Sequence, residues 1–409
     1  MPFSTRYPTP GTRIDGPDLV RGAIMVIMLL DHTREFTHWA GIKFDAADLT
    51  QTTPELFLTR WVTHFCAPLF VFLAGMSVAF QQQRGRNDAE VSAFLVKRGL
   101  WLCVLEIAVV RTLVFWKVEP TLVILQVIWV LGISMICLAA LIRLPRSVVL
   151  VVGAALVLGH NTFDGLRVAP WAGPEGAVPS VGEKLWMVLH QGGPFPLGGS
   201  QSPVILTLYP LLPWIGVLAL GWLLGDVYRW RAEQRSRFLL RLGAALTLAF
   251  LLLRAANVYG DPSPWTIQRN PVFTLLSYFD LTKYPPSLLF LLMTIGPGMV
   301  ALGFLERSAP ADRGVLARAL IVYGRVPLFF YVLQWIYAHG AGLLLSSVRG
   351  RDTALFFQWP FDWQWNERVG FTLGTTYAVW IVGAVLLYFP CRWFAGVKAR
   401  RKEWWLRYL

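Results

Sequence analysis

Near the N-terminus, one apolar stretch carries two groups of ionisable residues: Asp18 and Arg21, then Asp31, His32, Arg34 and Glu35. His32 follows Arg21 by eleven positions. At about 100° per residue that returns to nearly the same helix face, roughly 16 Å further along the axis. Met25 and Met28 fill the stripe between them, and Glu35 lies one turn beyond His32. Such a face sets a cation at one end and an imidazole with nearby carboxylates at the other. An imidazole exchanges protons near neutral pH, and a carboxylate can orient it and stabilise its protonated form. A lone histidine on an apolar face is more often a packed core residue. The neighbouring charges, each costing at least ~2.5–3.5 kcal/mol at the centre of a membrane helix, favour a functional reading here. His38, six positions on, is a second imidazole in the same region.

Further along, Arg60 and His64 stand at i, i+4 ahead of Pro68, which frees the His64 carbonyl; a packing kink is the favoured reading. Lys97 and Arg98 read as membrane-edge anchors or as a cradle for a phosphate-bearing ligand. Glu106 requires a partner, Arg111 or a basic residue of a neighbouring span, in a structural pair or a site. Pro213 is expected to free the Tyr209 carbonyl, and Lys283-Tyr284-Pro285-Pro286-Ser287 to open a helix at its outer mouth. Tyr331, Trp335 and His339 rise at i, i+4, i+8 with Gln334 alongside, a polar-aromatic ladder.

The elements that must position these residues are membrane helices. The chain of 409 residues is 55% hydrophobic and only 15% charged, with a mean hydropathy of +0.51. Its apolar residues fall in blocks of about 20, the thickness of a bilayer. A soluble enzyme, a disordered scaffold and a disulfide-stapled module all fit poorly. The expected fold is an all-α polytopic bundle of ten or eleven transmembrane helices. Spans are placed near 19–38, 57–80, 92–115, 121–142, 147–160, 203–228, 238–256, 286–305, 326–345 and 372–391. Residues 1–18 form an N-terminal cytoplasmic segment without signal-peptide character, 19–394 the membrane domain and 395–409 a basic cytoplasmic tail.

The net charge of +13 does not point to nucleic acid, because basic residues gather in the short connections and the tail. That bias sets both termini inside. The long connections, about 39–56, 161–202, 257–285 and 346–371, then lie outside, rich in Trp, Pro and Gly as in Asp362-Trp363-Gln364-Trp365. Cys66, Cys103, Cys137 and Cys391 read as small buried hydrophobes, and six histidines without zinc spacing argue against a metal.

Asp18-x-x-Arg21-Gly22 leading into Asp31-His32, Phe65-Cys66-Ala67-Pro68 running to Gly75, and Lys283-Tyr284-Pro285-Pro286-Ser287 resemble a bacterial family of membrane proteins. It is the family grouped with the catalytic region of heparan-alpha-glucosaminide N-acetyltransferase. His160-Asn161-x-x-Asp164-Gly165, Tyr209-Pro210-x-x-Pro213-Trp214 and the ending Trp404-Trp405-Leu406-Arg407-Tyr408-Leu409 fit the same branch. The Asp-x-x-Arg with a His eleven residues on is also similar to the acyltransferase-3 enzymes that O-acylate bacterial surface sugars.

The resemblance implies an acetyl-CoA-dependent membrane acyltransferase of the bacterial inner membrane, acting on an extracytoplasmic sugar or amino sugar. His32 is then the base or acyl carrier, oriented by Asp31 or Glu35, with His38 the rival for its place and His64 a weaker third. Arg21, Lys97 and Arg98 would engage the donor. Lys283, Tyr284, His339 and Glu106 would meet the acceptor. The partners expected are the bilayer, the donor and the sugar, with a homodimer left open and no nucleic acid. The competing class is a transporter or proton-coupled channel using Asp31, Glu106 and the histidines as a relay, with a non-catalytic assembly factor behind it.

Overall fold

The computed structural model describes residues 15–118, 121–307, 313–358, 370–401 and 403–408. The loaded first stretch is one uninterrupted helix, α1 (Asp15–Thr37), which starts on acidic residues and ends on Arg34, as the helix dipole favours. Pro68 acts as its chemistry requires. With no N–H to return to His64, it divides the next rod into α2 (Pro54–Thr63) and α3 (Cys66–Gln83). An Asn87–Glu90 capping box then starts α4 (Asp88–Val104), which widens into a π turn, Leu105–Val110, before α5 (Arg111–Phe115).

Strand β1 (Leu122–Leu125) precedes α6 (Val127–Leu141) and α7 (Arg146–Gly159), the latter ending in a 3₁₀ turn, His160–Phe163. The following connection is built rather than loose: α8 (Val181–Trp186), a π turn at Met187–Gln191, β2 (Gly193–Pro196) and β3 (Val204–Thr207). Five more rods follow: α9 (Leu211–Leu224), α10 (Ala232–Ala256), the short α11 (Pro271–Phe279), α12 (Leu288–Leu305) and α13 (Val315–Arg325). Last come α14 (Pro327–Val348) and the long α15 (Leu373–Arg400).

The structure is nearly all-α, 70% helical, and among the described residues seven helical stretches are long and apolar enough to cross a membrane: 54–83, 146–163, 211–229, 232–256, 288–305, 327–348 and 373–400. Helix α6 is apolar but shorter.

Three expectations need correction. The chain is not purely helical: β1, β3 and β2 form a three-stranded sheet, β1 parallel to β3 and β2 antiparallel to it. The spans expected at 121–142 and 203–228 therefore begin later, because Leu122-Val-Ile-Leu125 and Val204-Ile-Leu-Thr207 pair with each other, in register from Leu122↔Val204 to Leu125↔Thr207. A short continuous apolar run has no period that separates strand from helix. Pro213 frees no carbonyl; α9 starts at Leu211, so the proline sits in its first turn, where no N–H is needed. The prolines 285 and 286 precede α12, whose cap is Ser287, its hydroxyl accepting from Phe290 N. The Asp362–Trp365 segment lies outside the described residues.

Small residues set the spacing of the bundle. A Cβ on Gly22 would lie 1.8 Å from Leu320 O, and one on Gly324 1.8 Å from Asp18 O, so α1 and α13 cross backbone to backbone. Gly75 and Gly221 do the same for α3 and α9, and Gly99 and Gly132 for α4 and α6. In an apolar solvent, where burial of Leu gains little, such close approach supplies the packing contacts that hold helices together.

Candidate active site

A cavity of 280 Å³ lies against the C-terminal half of α1, walled by α1, α3, α5, the sheet, α14 and the 283–284 turn. Asp31, His32, Glu35, Lys283 and Tyr284 all line it. Five of the eleven candidate residues, drawn from opposite ends of the chain, thus meet in one place. Ile42 and Tyr284, 39% and 38% exposed, form part of its rim.

The two carboxylates have different partners. His32 Nδ1 is 3.1 Å from Glu35 Oε2, one turn away on the same helix. The hydrogen bonding of His32 among the described residues engages Nδ1, leaving Nε2 for a proton donor or acceptor in the cavity. The imidazole lies against Trp335, ring centres 3.7 Å apart, which limits its rotation. Asp31 instead turns to two guanidinium groups: Arg60 Nη1 donates to its Oδ2 at 2.5 Å and Arg34 Nη2 to its Oδ1 at 3.4 Å. Asp31 is 7% exposed, Arg34 4% and Arg60 8%. A buried carboxylate between two guanidinium cations ties α1 to α2 and leaves the cluster with a net positive charge.

The opposite wall is held by a carboxylate that does not face the cavity. Asp261 accepts from Thr282 N and Ser287 Oγ with one oxygen, and from Thr282 Oγ1 with the other. It clamps both sides of the Lys283–Tyr284 turn. Tyr209 packs its ring edge-on to Tyr284 at 5.3 Å. Behind these, Asn161 Oδ1 accepts from Leu288 N at the first turn of α12 while its Nδ2 donates to Asp164 Oδ2. Asp164 Oδ1 lies 3.1 Å from His190 Nε2. The His160–Asp164 motif therefore fixes where α12 begins, and does not line the cavity.

The remaining candidates lie elsewhere. His38 is buried, its Nδ1 accepting from Ala40 N at 3.2 Å, and its backbone bridges Phe371. His339 is sandwiched by Trp116 and Phe36, ring centres 4.3 and 4.7 Å away, with Nδ1 donating to Val114 O. The aromatic ladder divides there: Tyr331 and Trp335 reach the cavity and His339 does not. Glu106 makes no pair with Arg111, correcting that expectation. Its Oε2 accepts from Ile128 N and Trp129 N at 3.0 and 3.1 Å, capping α6, whereas Arg111 donates to Val118 O.

Arg21 donates to Asp18, to Gly324 O, to Leu73 O and to Ser77 Oγ, stitching α1 to α3 and α13. Lys97 is exposed and shares a separate groove of 470 Å³ with Arg143 and Ser92, between α4 and α6; Arg98 is not among its lining residues. His64 packs on Phe290, ring centres 5.3 Å apart.

What sequence reasoning missed is the pairing of Asp31 with Arg34 and Arg60 and the contribution of Tyr209, Tyr331 and Trp335 to one chamber. An Asp–Arg pair at i, i+3 was a visible signal for the first.

The fold and the site together define a membrane-type helical bundle in which a histidine–carboxylate pair lines an internal cavity. Residues 13–259 match the model of the catalytic domain of heparan-alpha-glucosaminide N-acetyltransferase, and the chain belongs to that family. The membership implies an acetyltransferase embedded in a membrane. A comparison with curated proteins finds no match. The match contains α1 and its His32–Glu35 pair; Lys283, Tyr284, Tyr331 and Trp335 lie beyond it.

Proposed function

We propose that this protein moves an acetyl group from cytoplasmic acetyl-CoA to an amino or hydroxyl group of an extracytoplasmic sugar, with His32 as the base. The observation that carries the reading is the His32–Glu35 pair opening on the cavity, in a chain of an acetyltransferase family. The protein crosses the membrane ten times, both termini are cytoplasmic, and the membrane is a bacterial inner membrane. The connections at 39–56 and 257–285 then cover the cavity from outside, and Lys97 and Arg143 stand at the cytoplasmic end of α4 and α6, where the donor's phosphates would enter.

In the reaction, His32 Nε2 takes the proton of the acceptor as its nitrogen or oxygen attacks the thioester carbonyl. The carbonyl–sulfur bond breaks, and the departing thiolate recovers the proton from the imidazolium. Glu35 holds the Nδ1–H tautomer and stabilises the charged ring. A covalent route, in which Nε2 carries the acetyl group between donor and acceptor, uses the same geometry and gives ping-pong kinetics. The transporter reading has no comparable support.

The test is CoA release from acetyl-CoA by protein in nanodiscs with glucosaminide acceptors. Release should vanish in His32→Ala and persist in His38→Ala. Loss confined to His38→Ala would move the base to His38, and neither release nor acetyl-CoA binding in the wild type would end the enzymatic reading.

A further inference from the structure

Asp31, in the cavity wall, pairs with two guanidinium groups, and the ammonium of Lys283 lines the same cavity. Arg60 occupies Oδ2 and Arg34 occupies Oδ1. Lys283 lies within electrostatic reach of the same carboxylate but has no ion pair among the described residues. Its ammonium sits 5.3 Å from the Tyr284 ring centre, half-buried in the cavity lining. The Asp261 carboxylate accepts from Thr282, Ser287 and the Ser263 N–H and makes no ion pair with Lys283. Those bonds fix residues on either side of Lys283, so the turn is rigid while the charge it carries is left over. Glu35, the other carboxylate of the cavity, is engaged with His32. A preorganised, partly desolvated ammonium with no carboxylate in ion-pair contact is a receptor for an anion.

We propose that Lys283 binds an anionic substituent of the acceptor, so that the substrate class is an acidic amino sugar, bearing a carboxylate or a phosphate, and not a neutral one. The proposal rests on the acetyltransferase reading for its reaction but not for its binding. Lys283 receives the anion at the rim by Tyr284, and the acceptor's amino group is directed inward to His32.

The probes are glucosamine, muramic acid (glucosamine with a carboxylate on its lactyl ether) and glucosamine 6-phosphate, offered to the full-length protein in nanodiscs with acetyl-CoA. The wild type should favour at least one anionic sugar over glucosamine by about tenfold or more in kcat/KM. Lys283→Met should bring that ratio close to one, and Lys283→Arg should restore most of it. Equal preference in the wild type, or a ratio unchanged in Lys283→Met, overturns the proposal. So does a variant whose KM rises for acetyl-CoA alone, which would give the ammonium to the donor's phosphates. Direct binding of the same three sugars, followed by tryptophan fluorescence, separates the two readings. Lys283-dependent binding of an anionic sugar without acetyl transfer would uphold the receptor and sink the enzyme. Transfer without charge preference would do the reverse.

Discussion

His32 Nδ1 lies 3.1 Å from Glu35 Oε2, whereas Asp31, its immediate neighbour in sequence, points to Arg34 and Arg60. One helix turn thus separates two carboxylates with different work. Glu35→Gln should lower kcat by about 10²-fold or more with the protein still folded, because the amide can hold the ring but not its positive charge. Steady-state kinetics beside a thermal melt checks this; unchanged kcat would free Glu35 from the role.

Asp31→Asn should act on stability first. It leaves the buried Arg34 without its anion and Arg60 with only the longer contact to Asp45 at 3.9 Å, at a cost of about 3–5 kcal/mol. Adding Arg60→Met should recover part of that loss, since one stranded charge is removed. Thermal unfolding of the three variants in detergent measures the coupling.

Glu106→Ala should also destabilise, by about 2 kcal/mol, through two buried N–H groups at the start of α6 that lose their acceptor. Acceptor KM should not move. A raised KM at constant stability would return Glu106 to the substrate.

Asn161 joins the end of α7 to Leu288 N at the first turn of α12, next to the turn that carries Lys283. Asn161→Ala should cost about 1–3 kcal/mol and raise acceptor KM, because the first turn of α12, which follows the 283–284 turn, loses one of its anchors. Hydrogen exchange at 282–288 should quicken in parallel.

Asp280 introduces a pH dependence outside the membrane helices. Burial, with the nearby Asp45 and Asp261, pushes its carboxyl up to about 7 from 3.8, against the pull of Arg254. The folded protein then holds a proton that the unfolded chain has released, between pH 3.8 and about 7. Its contribution to stability is therefore present below the unfolded value and is lost as pH rises through the folded one. Asp280→Asn should flatten this part of the melting profile, leaving a smaller fall in Tm from pH 4 to pH 7 than in the wild type.

The membrane-helix class, the α1 stripe and the Pro68 break were legible in the sequence because each is local. Apolar block length answers to the bilayer, the i, i+3 spacing of His32 and Glu35 to the helix pitch, and a missing N–H to proline itself. Even the Lys283–Tyr284 turn stood out by composition. Its partnership with α1 did not, since nothing in the chain between positions 35 and 283 records that the two are adjacent. The same holds for β1 and β3: each run could be helix or strand until the other lay beside it to take its hydrogen bonds. Which carboxylate serves His32, and which cation is left over, were decided only when Arg60 came across from α2. Charge pairing depends on distances through space, and those are set by where Gly22, Gly75 and Gly324 let the helices touch.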